Sequence, residues 1–265
     1  MITSAANQQI KELKSLLTRP RERAKTGCFV AEGIRMVSET PPERIAALYL
    51  SESFEKKCRE QAMLPPALLE KAVTVQDRIL QSVSPEKAPQ GILAVVQGRE
   101  NTLAELTAGP APLILALENI QDPGNLGTML RTGEGAGVSG VLMSRDTVDL
   151  YNPKTVRSTM GSLYRVKHAR SASLAEDIRS MQAAGIRVYA AYLGGSREYD
   201  LPDYTGPTAF LIGNEGNGLK QETAALADER IRIPMAGQLE SLNAAAAASI
   251  LLYEAARQRR AQGKR

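Results

Sequence analysis

Three loops concentrate the side chains that could do chemistry. The first, Glu118-Asn119-Ile120-Gln121-Asp122-Pro123-Gly124-Asn125-Leu126-Gly127, follows the apolar run Leu113–Leu117. Asp122 suits a helix N-cap and Pro123 the first helical position. Amide N–H groups exposed at such a start favour an anion, and Arg131, about two turns further on, has the planar fork that grips a phosphate. The second loop, Gly213-Asn214-Glu215-Gly216-Asn217-Gly218-Leu219, follows the apolar run Ala209–Ile212. Its glycines let backbone wrap closely round a ligand, and a side chain at Gly213 would fill the space that ligand needs. The third, Ile233 through Asn243, leads into the small-residue run Ala244–Ala248, with Ser241 expected as the N-cap. Each has a plain structural reading beside the functional one: a capped surface helix, a tight turn, a close-packed core helix. What favours function is that all three lie at the carboxyl ends of apolar strands, where α/β sheets hold their ligands.

Composition narrows the chemistry. A single histidine, His168, and two cysteines, Cys28 and Cys58, in 265 residues leave no metal-ligand spacing and no Ser-His or Cys-His pair. Any reaction must run without a metal or a histidine dyad, or with His168 acting alone. Two apparent nucleotide motifs fall away. Gly135-Ala136-Gly137-Val138-Ser139-Gly140 fits G-x-G-x-x-G but follows a helix and precedes a strand, the reverse of the dinucleotide arrangement, and no phosphate-binding P-loop occurs. A net charge of +4 suits nucleic acid mildly, while 4% aromatics argue against broad base-stacking platforms. The polar N-terminus does not read as a secretory signal, and no apolar run reaches the roughly 18 residues of a membrane helix. The expected setting is cytoplasmic, with reduced cysteines.

The elements that must position these loops form two α/β domains, expected at residues 1–105 and 106–265, with Gly109-Pro110-Ala111-Pro112 marking the joint. The first opens with a helix carrying Ile10, Leu13, Leu16 and Leu17 at helical spacing. A basic connector, Thr18–Lys25, follows, then short strands at Cys28–Ala31, Ala46–Leu50, Ala72–Val75 and Ile92–Val96. Lys11, Lys14, Arg21 and Arg23 are the candidate phosphate contacts. The second domain alternates strands at Leu113–Leu117, Gly140–Met143, Val188–Ala191, Ala209–Ile212 and Ile231–Ile233 with helices, ending on a helix over Leu242–Gln258 and a frayed basic tail, Arg259–Arg265. Near-continuous apolar strands between helices predict a parallel sheet covered on both faces.

Taken together, the three loops resemble the three motifs of the SpoU (TrmH-like) branch of the SPOUT RNA methyltransferases. The matching pieces are Asp122-Pro123-Gly124-Asn125-Leu126-Gly127 with Arg131, Leu211-Ile212-Gly213-Asn214-Glu215-Gly216, and Ile233-Pro234-Met235 with Ser241-Leu242-Asn243, in the family's order over about 150 residues. Asn152-Pro153-Lys154 through Ser158 and Met160-Gly161 resemble its middle region. Ala244–Ala248 departs from it, since relatives more often carry Val and Ser there. Asn7, Ile10, Lys11, Leu17, Arg23, Phe29, Glu32-Gly33 and Arg35 resemble the ribosomal-protein-like substrate-binding domain of many members.

The resemblance implies a trefoil knot in the C-terminal domain, a homodimer, and S-adenosylmethionine as cofactor. It implies methylation of a ribose 2′-hydroxyl, with the N-terminal domain tilting the substrate towards ribosomal over transfer RNA. It assigns Arg131, Asn125, Glu215, Ser241 and Asn243 to the active site, and Leu211, Gly213, Ile233 and Leu242 to the cofactor. Because arginine rarely gives up its proton, Arg131 is expected to hold phosphate and stabilise developing negative charge more than to act as a base. Base methylation and a non-catalytic RNA-binding role are the competing readings, and the intact Asn125, Arg131, Glu215 and Asn243 weigh against the second. A dinucleotide-dependent oxidoreductase is a distant further reading.

Overall fold

A computed structural model describes residues 1–263 except Ser196 and Leu239. Lys264 and Arg265, the end of the expected basic tail, lie outside the described residues, as does Leu239 of the third loop. The chain forms two compact units: Met1–Arg99 with Asp149–Tyr164, and Glu100–Val148 with Arg165–Arg265. The units therefore part at Arg99, not at residue 105, and a segment of the expected second domain belongs with the first.

In the first unit, helices α1 (Gln8–Thr18) and α2 (Pro20–Thr26) precede β1 (Cys28–Glu32) and α3 (Ile34–Glu39). Next come β2 (Ile45–Ser51), α4 (Glu52–Glu60), α5 (Pro66–Leu69), β3 (Ala72–Val75), α6 (Asp77–Val83) and β4 (Ile92–Gln97). The sheet runs β1-β4-β2-β3, antiparallel except for β2–β3. The apolar stripe of α1, Ile10, Leu13, Leu16 and Leu17, is buried against Val30, Tyr49, Leu80 and Leu93, as its spacing requires. The basic connector is instead the helix α2, started by Pro20 and stopped by left-handed Gly27. That changes the reading of Arg23. It is 3% exposed, its Nε donates to Asp149 at 2.7 Å, and its Nη1 donates to the carbonyl of Leu16 at 2.6 Å. A guanidinium so enclosed is not open to phosphate, so Arg23 is a structural residue and not an RNA contact.

The partner of Arg23 belongs to the segment Asp149–Tyr164, which contains α9 (Pro153–Ser158) and packs on β1. Tyr151 stacks on Phe29 with centroids 4.6 Å apart, and its hydroxyl accepts from the amide of Arg99 and donates to its carbonyl, each at 2.9 Å. Arg157 pairs with Glu86. The first unit's core is thus completed by residues some fifty positions downstream. Truncating Tyr151 to Ala should cost about 3 kcal/mol, the range for a packed aromatic, read as a shift in denaturant midpoint at unchanged m-value. A loss below about 1 kcal/mol would show that the segment only rests on the surface.

The second unit contains α7 (Leu103–Leu106), β5 (Leu113–Leu117), α8 (Pro123–Ala136), β6 (Gly140–Met143), β7 (His168–Arg170) and α10 (Leu174–Ala183). It continues with β8 (Arg187–Ala191), β9 (Arg197–Glu198), β10 (Thr208–Ile212), α11 (Gln221–Leu226), β11 (Glu229–Arg232) and α12 (Ala244–Ala261). The seven strands, ordered β7-β6-β5-β10-β8-β11-β9, are parallel throughout. Central strands β5 and β10 are buried at every residue, which explains their unbroken apolar sequence. Two strands escaped the sequence reading, β7 and β9, both short and polar. Gly137 ends α8 in the left-handed region at φ 79°, so the glycine-rich stretch before β6 is a helix cap. The last helix starts later than expected: Asn243, not Ser241, is its N-cap, accepting from Ala245 N at 2.9 Å and Ala246 N at 3.2 Å. Helices α8 and α12 pack together. Among the described residues no helix is long and apolar enough to cross a membrane.

Candidate active site

Strands β5 and β10 are neighbours in register, Leu117 opposite Ile212, so the loops that follow them leave the sheet side by side. Asp122 caps α8 as its type and position predict, accepting from Asn125 N at 2.9 Å. The side chain of Asn125 then lies at the head of the helix, facing the second loop.

Glu215 crosses from that loop to meet it. One carboxylate oxygen accepts from the amide of Gln121, and the other from the amide of Asp122 and from Asn125 Nδ2, all at 3.0 Å. Asn125, having donated, has its oxygen free to accept, and Asn243 Nδ2 donates to it at 3.0 Å. Asn243 in turn turns its own oxygen to the amides of α12. The donor and acceptor faces of both amides are thereby fixed by one consistent chain. Asn214 adds a further tie, donating through Nδ2 to Asn119 O at 2.9 Å while its Oδ1 accepts from the amides of Gly216 and Asn217. The loop closes on itself through Asn214 and Gly218, whose amides donate to each other's carbonyls at 3.1 and 2.9 Å.

Burial works to raise the carboxyl of Glu215, but the hydrogen bonds from Asn125 and from the amides of Asp122 and Gln121 outweigh it and hold the group below the ordinary carboxylate range. A carboxyl depressed on folding contributes stability that is present above its ordinary value of 4.5 and lost as pH falls through the lower folded value. The ties between the two loops should accordingly hold at neutral pH and fail only in acid. In thermal melts from pH 7 to 3, the Glu215→Gln protein, already weakened, should lose less stability on the acid side than the unaltered chain. Parallel curves for the two proteins would remove Glu215 from the acid response.

Beside this network lies a cleft of about 550 Å³, lined by the second loop from Gly213 to Gly218, by Ile231 to Met235, by Ala191 to Leu193, and by Ser241, Leu242, Ala244 and Ala247. Its volume falls within the roughly 300–1,000 Å³ typical of small-molecule sites. Of the expected site residues, the structure brings Gly213, Glu215, Ile233, Ser241 and Leu242 to the cleft, and joins Asn125 and Asn243 to it through Glu215. Leu211 is elsewhere: fully buried in the core with Ile114, Ala116 and Val188, while its neighbour Ile212 lines the cleft. Arg131 is exposed on α8, on one stripe with Thr128 and Gly135, and makes no hydrogen bond or ion pair with another described residue. His168 is buried on β7, its Nδ1 3.1 Å from Val166 O, and does not line the cleft. Asn214 and Gln121, which knit the loops, and Met235, which lines the cleft, stand in the expected loops but carry no assigned role there, and Tyr192, also on the lining, lies outside those loops. Asn214 carried a signal, since Asn before glycine commonly folds back on its own backbone.

A parallel sheet with a small-molecule cleft at the carboxyl ends of its central strands, closed by loop-to-loop hydrogen bonds, defines an α/β enzyme scaffold. Residues 112–253 match the model of the SpoU rRNA Methylase family, and residues 7–94 match that of the MRM3-like substrate binding domain. The chain belongs to the SpoU rRNA methylase family. It is similar to the 23S rRNA (guanosine(2553)-2′-O)-methyltransferase RlmP of Bacillus subtilis, with 33% identity over 95% of this chain and 97% of the relative. To the 23S rRNA (uridine(2479)-2′-O)-methyltransferase of Streptomyces viridochromogenes it is 30% identical, over 97% of this chain and 92% of that one. Among solved structures, the AdoMet-bound rRNA methyltransferase of Sinorhizobium meliloti superimposes with a TM-score of 0.84 at 32% identity, covering 97% of both chains.

Proposed function

We propose that the chain is an S-adenosylmethionine-dependent methyltransferase that modifies a ribose 2′-hydroxyl of ribosomal RNA. The observation that carries this reading is the network Glu215–Asn125–Asn243, which draws all three motif loops to one cleft. The relatives' printed activities on 23S rRNA support the substrate class, and the AdoMet-bound neighbour supports the cofactor. One relative acts at a guanosine and another at a uridine, so the target base is not inherited from the family.

The lining suits this cofactor. Ile212, Ile231, Ile233 and Leu242 offer an apolar surface to an adenine ring, and the backbone of the glycine loop, held in a tight closed turn by its own hydrogen bonds, forms the facing wall. When bound, S-adenosylmethionine supplies an electrophilic methyl on a cationic sulfur. The chain's own residues then have two tasks. Glu215, Asn125 and Asn243 hold the loops in place, so positioning supplies much of the catalysis. We assign Arg131, exposed and uncommitted, to the RNA phosphate and to the negative charge that develops on the ribose oxygen. Ser241, exposed at the cleft mouth, is assigned to substrate positioning.

The first unit is assigned to RNA capture. Lys11, Lys14 and Arg19 line an open groove of about 690 Å³ along α1 and α2, and Arg21 is exposed beside them. Changing Lys11, Lys14, Arg19 and Arg21 together to Gln should flatten the slope of log affinity against log salt by about 2–3. An unaltered slope would make these residues a solvated face. We further assign the chain a trefoil-knotted second unit, a homodimeric state and a cytoplasmic setting, in keeping with family membership. Light scattering at the mass of a single chain would exclude the dimer. The function itself is tested by incubating the protein with labelled S-adenosylmethionine and unmodified 23S rRNA, then digesting to nucleosides. Label in a 2′-O-methylnucleoside supports the proposal, label in a base-methylated nucleoside supports the competing enzyme reading, and no transfer despite RNA binding supports a binding protein.

A further inference from the structure

A second carboxylate crosses between the same two loops in the opposite direction. Glu118, at the root of the first loop, is 6% exposed, and its amide continues the sheet by donating to Ile212 O at 2.8 Å. Its carboxylate leaves its own loop: one oxygen accepts from Lys220 N at 2.9 Å, and the other from Thr223 Oγ1 at 2.5 Å. Both donors lie at the start of α11, the helix that ends the glycine loop. Lys220, the residue in the N-cap position there, makes no side-chain cap of its own. Glu118 therefore supplies from another strand an acceptor for the N-cap residue's own amide and for the Thr223 hydroxyl at the third helical position.

The consequence is geometric. The glycine loop is pinned at its middle by Glu215, which reaches to the head of α8, and at its far end by Glu118, which reaches from β5. An ordinary cap would stabilise α11 equally well but would leave the end of the loop untied to the sheet. We propose that Glu118 is a positioning residue for the transfer reaction, tying the far end of the glycine loop to β5 so that the cofactor cleft is held open in its binding shape. This rests on the functional reading above, and it adds a buried residue that touches neither cofactor nor RNA.

The test separates the tie from the cap. Glu118→Met and Thr223→Val, both close in volume to the original side chains and unable to make these hydrogen bonds, should each weaken S-adenosylmethionine binding about tenfold by calorimetry, as expected for loss of a buried hydrogen bond. The double variant should bind no more weakly than Glu118→Met, because loss of the carboxylate already removes the partner of Thr223. Affinity for 23S rRNA should stay within about twofold, and the rate at saturating cofactor should fall far less than the cofactor KM rises. Adding Lys220→Ser to Glu118→Met gives α11 a local cap. It should recover melting temperature without recovering cofactor affinity. Recovery of both would reduce Glu118 to a helix cap and overturn the proposal, as would cofactor affinity within twofold of the unaltered chain in both single variants. If the unaltered chain itself binds no S-adenosylmethionine, the functional reading fails and the proposal falls with it, an outcome distinct from normal binding by chain and variants alike.

Discussion

Replacing Gly213 with alanine should lower S-adenosylmethionine affinity by about 100-fold or more while leaving the protein folded. The reason is not the one its sequence context suggests. A Cβ built on Gly213 lies 2.1 Å from both Gly218 C and Leu219 N, backbone atoms of the same loop. The methyl group would occupy the space that lets the loop close, before any ligand is considered. Relief requires parting Asn214 from Gly218, whose two mutual backbone hydrogen bonds close the loop, and that carries Glu215 away from Gln121, Asp122 and Asn125. If the closed shape falls to about one molecule in a hundred, apparent affinity falls by the same factor. The neighbouring glycines supply the controls. Gly218 adopts φ +68° with open space around it, so alanine there meets no clash and costs about 1 kcal/mol of backbone strain. A Cβ on Gly216 meets only Asn214 Oδ1 at 3.5 Å, an ordinary contact, and Gly216→Ala should bind within about threefold of the unaltered chain. Calorimetry on the three variants should rank the losses Gly213, Gly218, Gly216. A Gly213→Ala protein that binds normally would mean that the loop has another way to close.

Much of the second unit is readable from local pattern because its signals are local. β5 and β10 are buried on both faces and so are apolar at every position; Asp122-Pro123 starts a helix by chemistry that needs no distant partner. Even the elements missed have physical reasons. His168–Arg170 and Arg197–Glu198 are strands by virtue of the neighbours that accept them, not of their own composition. The harder failures concern partners far apart in sequence. A charged run such as Arg19–Lys25 looks solvated, yet Arg23 is buried because Asp149, 126 positions away, comes to meet it. Nothing in Asn152-Pro153-Lys154 says that the segment around it packs on β1. Ser241 and Asn243 are equally good cap residues two apart, and what chooses between them is that Asn243 can cap α12 with its oxygen while donating its amide to Asn125. Glu118 carried no motif at all; its two donors lie 102 and 105 residues away. The expected site residues were legible as types, while the hydrogen bonds that assign each its task became visible only with the fold.

The second large effect concerns Arg131. Arg131→Ala should reduce single-turnover methylation by about 10²–10³-fold, the cost of removing one donor aimed at a developing oxyanion, with cofactor affinity unchanged. The structure makes the variant a clean one. The side chain is exposed and engages no described residue, so truncation removes no packing and orphans no buried group. Asp122, Asn125 and Glu215, which organise the head of the same helix, do so without it. Such a residue is dispensable to the fold and available to a ligand, and the ligand we assign to it is the RNA. Arg131→Lys keeps the charge but loses the planar fork, so it should recover only a small part of the rate. His168→Ala is the comparison that decides the chemistry. The imidazole is buried on β7 away from the cleft, so its removal should cost stability through lost packing and leave the chemical step near normal. Saturating RNA and cofactor isolate that step from binding. A near-normal rate for Arg131→Ala together with an inactive but folded His168→Ala protein would transfer the decisive role to the histidine, and would require a rearrangement bringing β7 to the substrate.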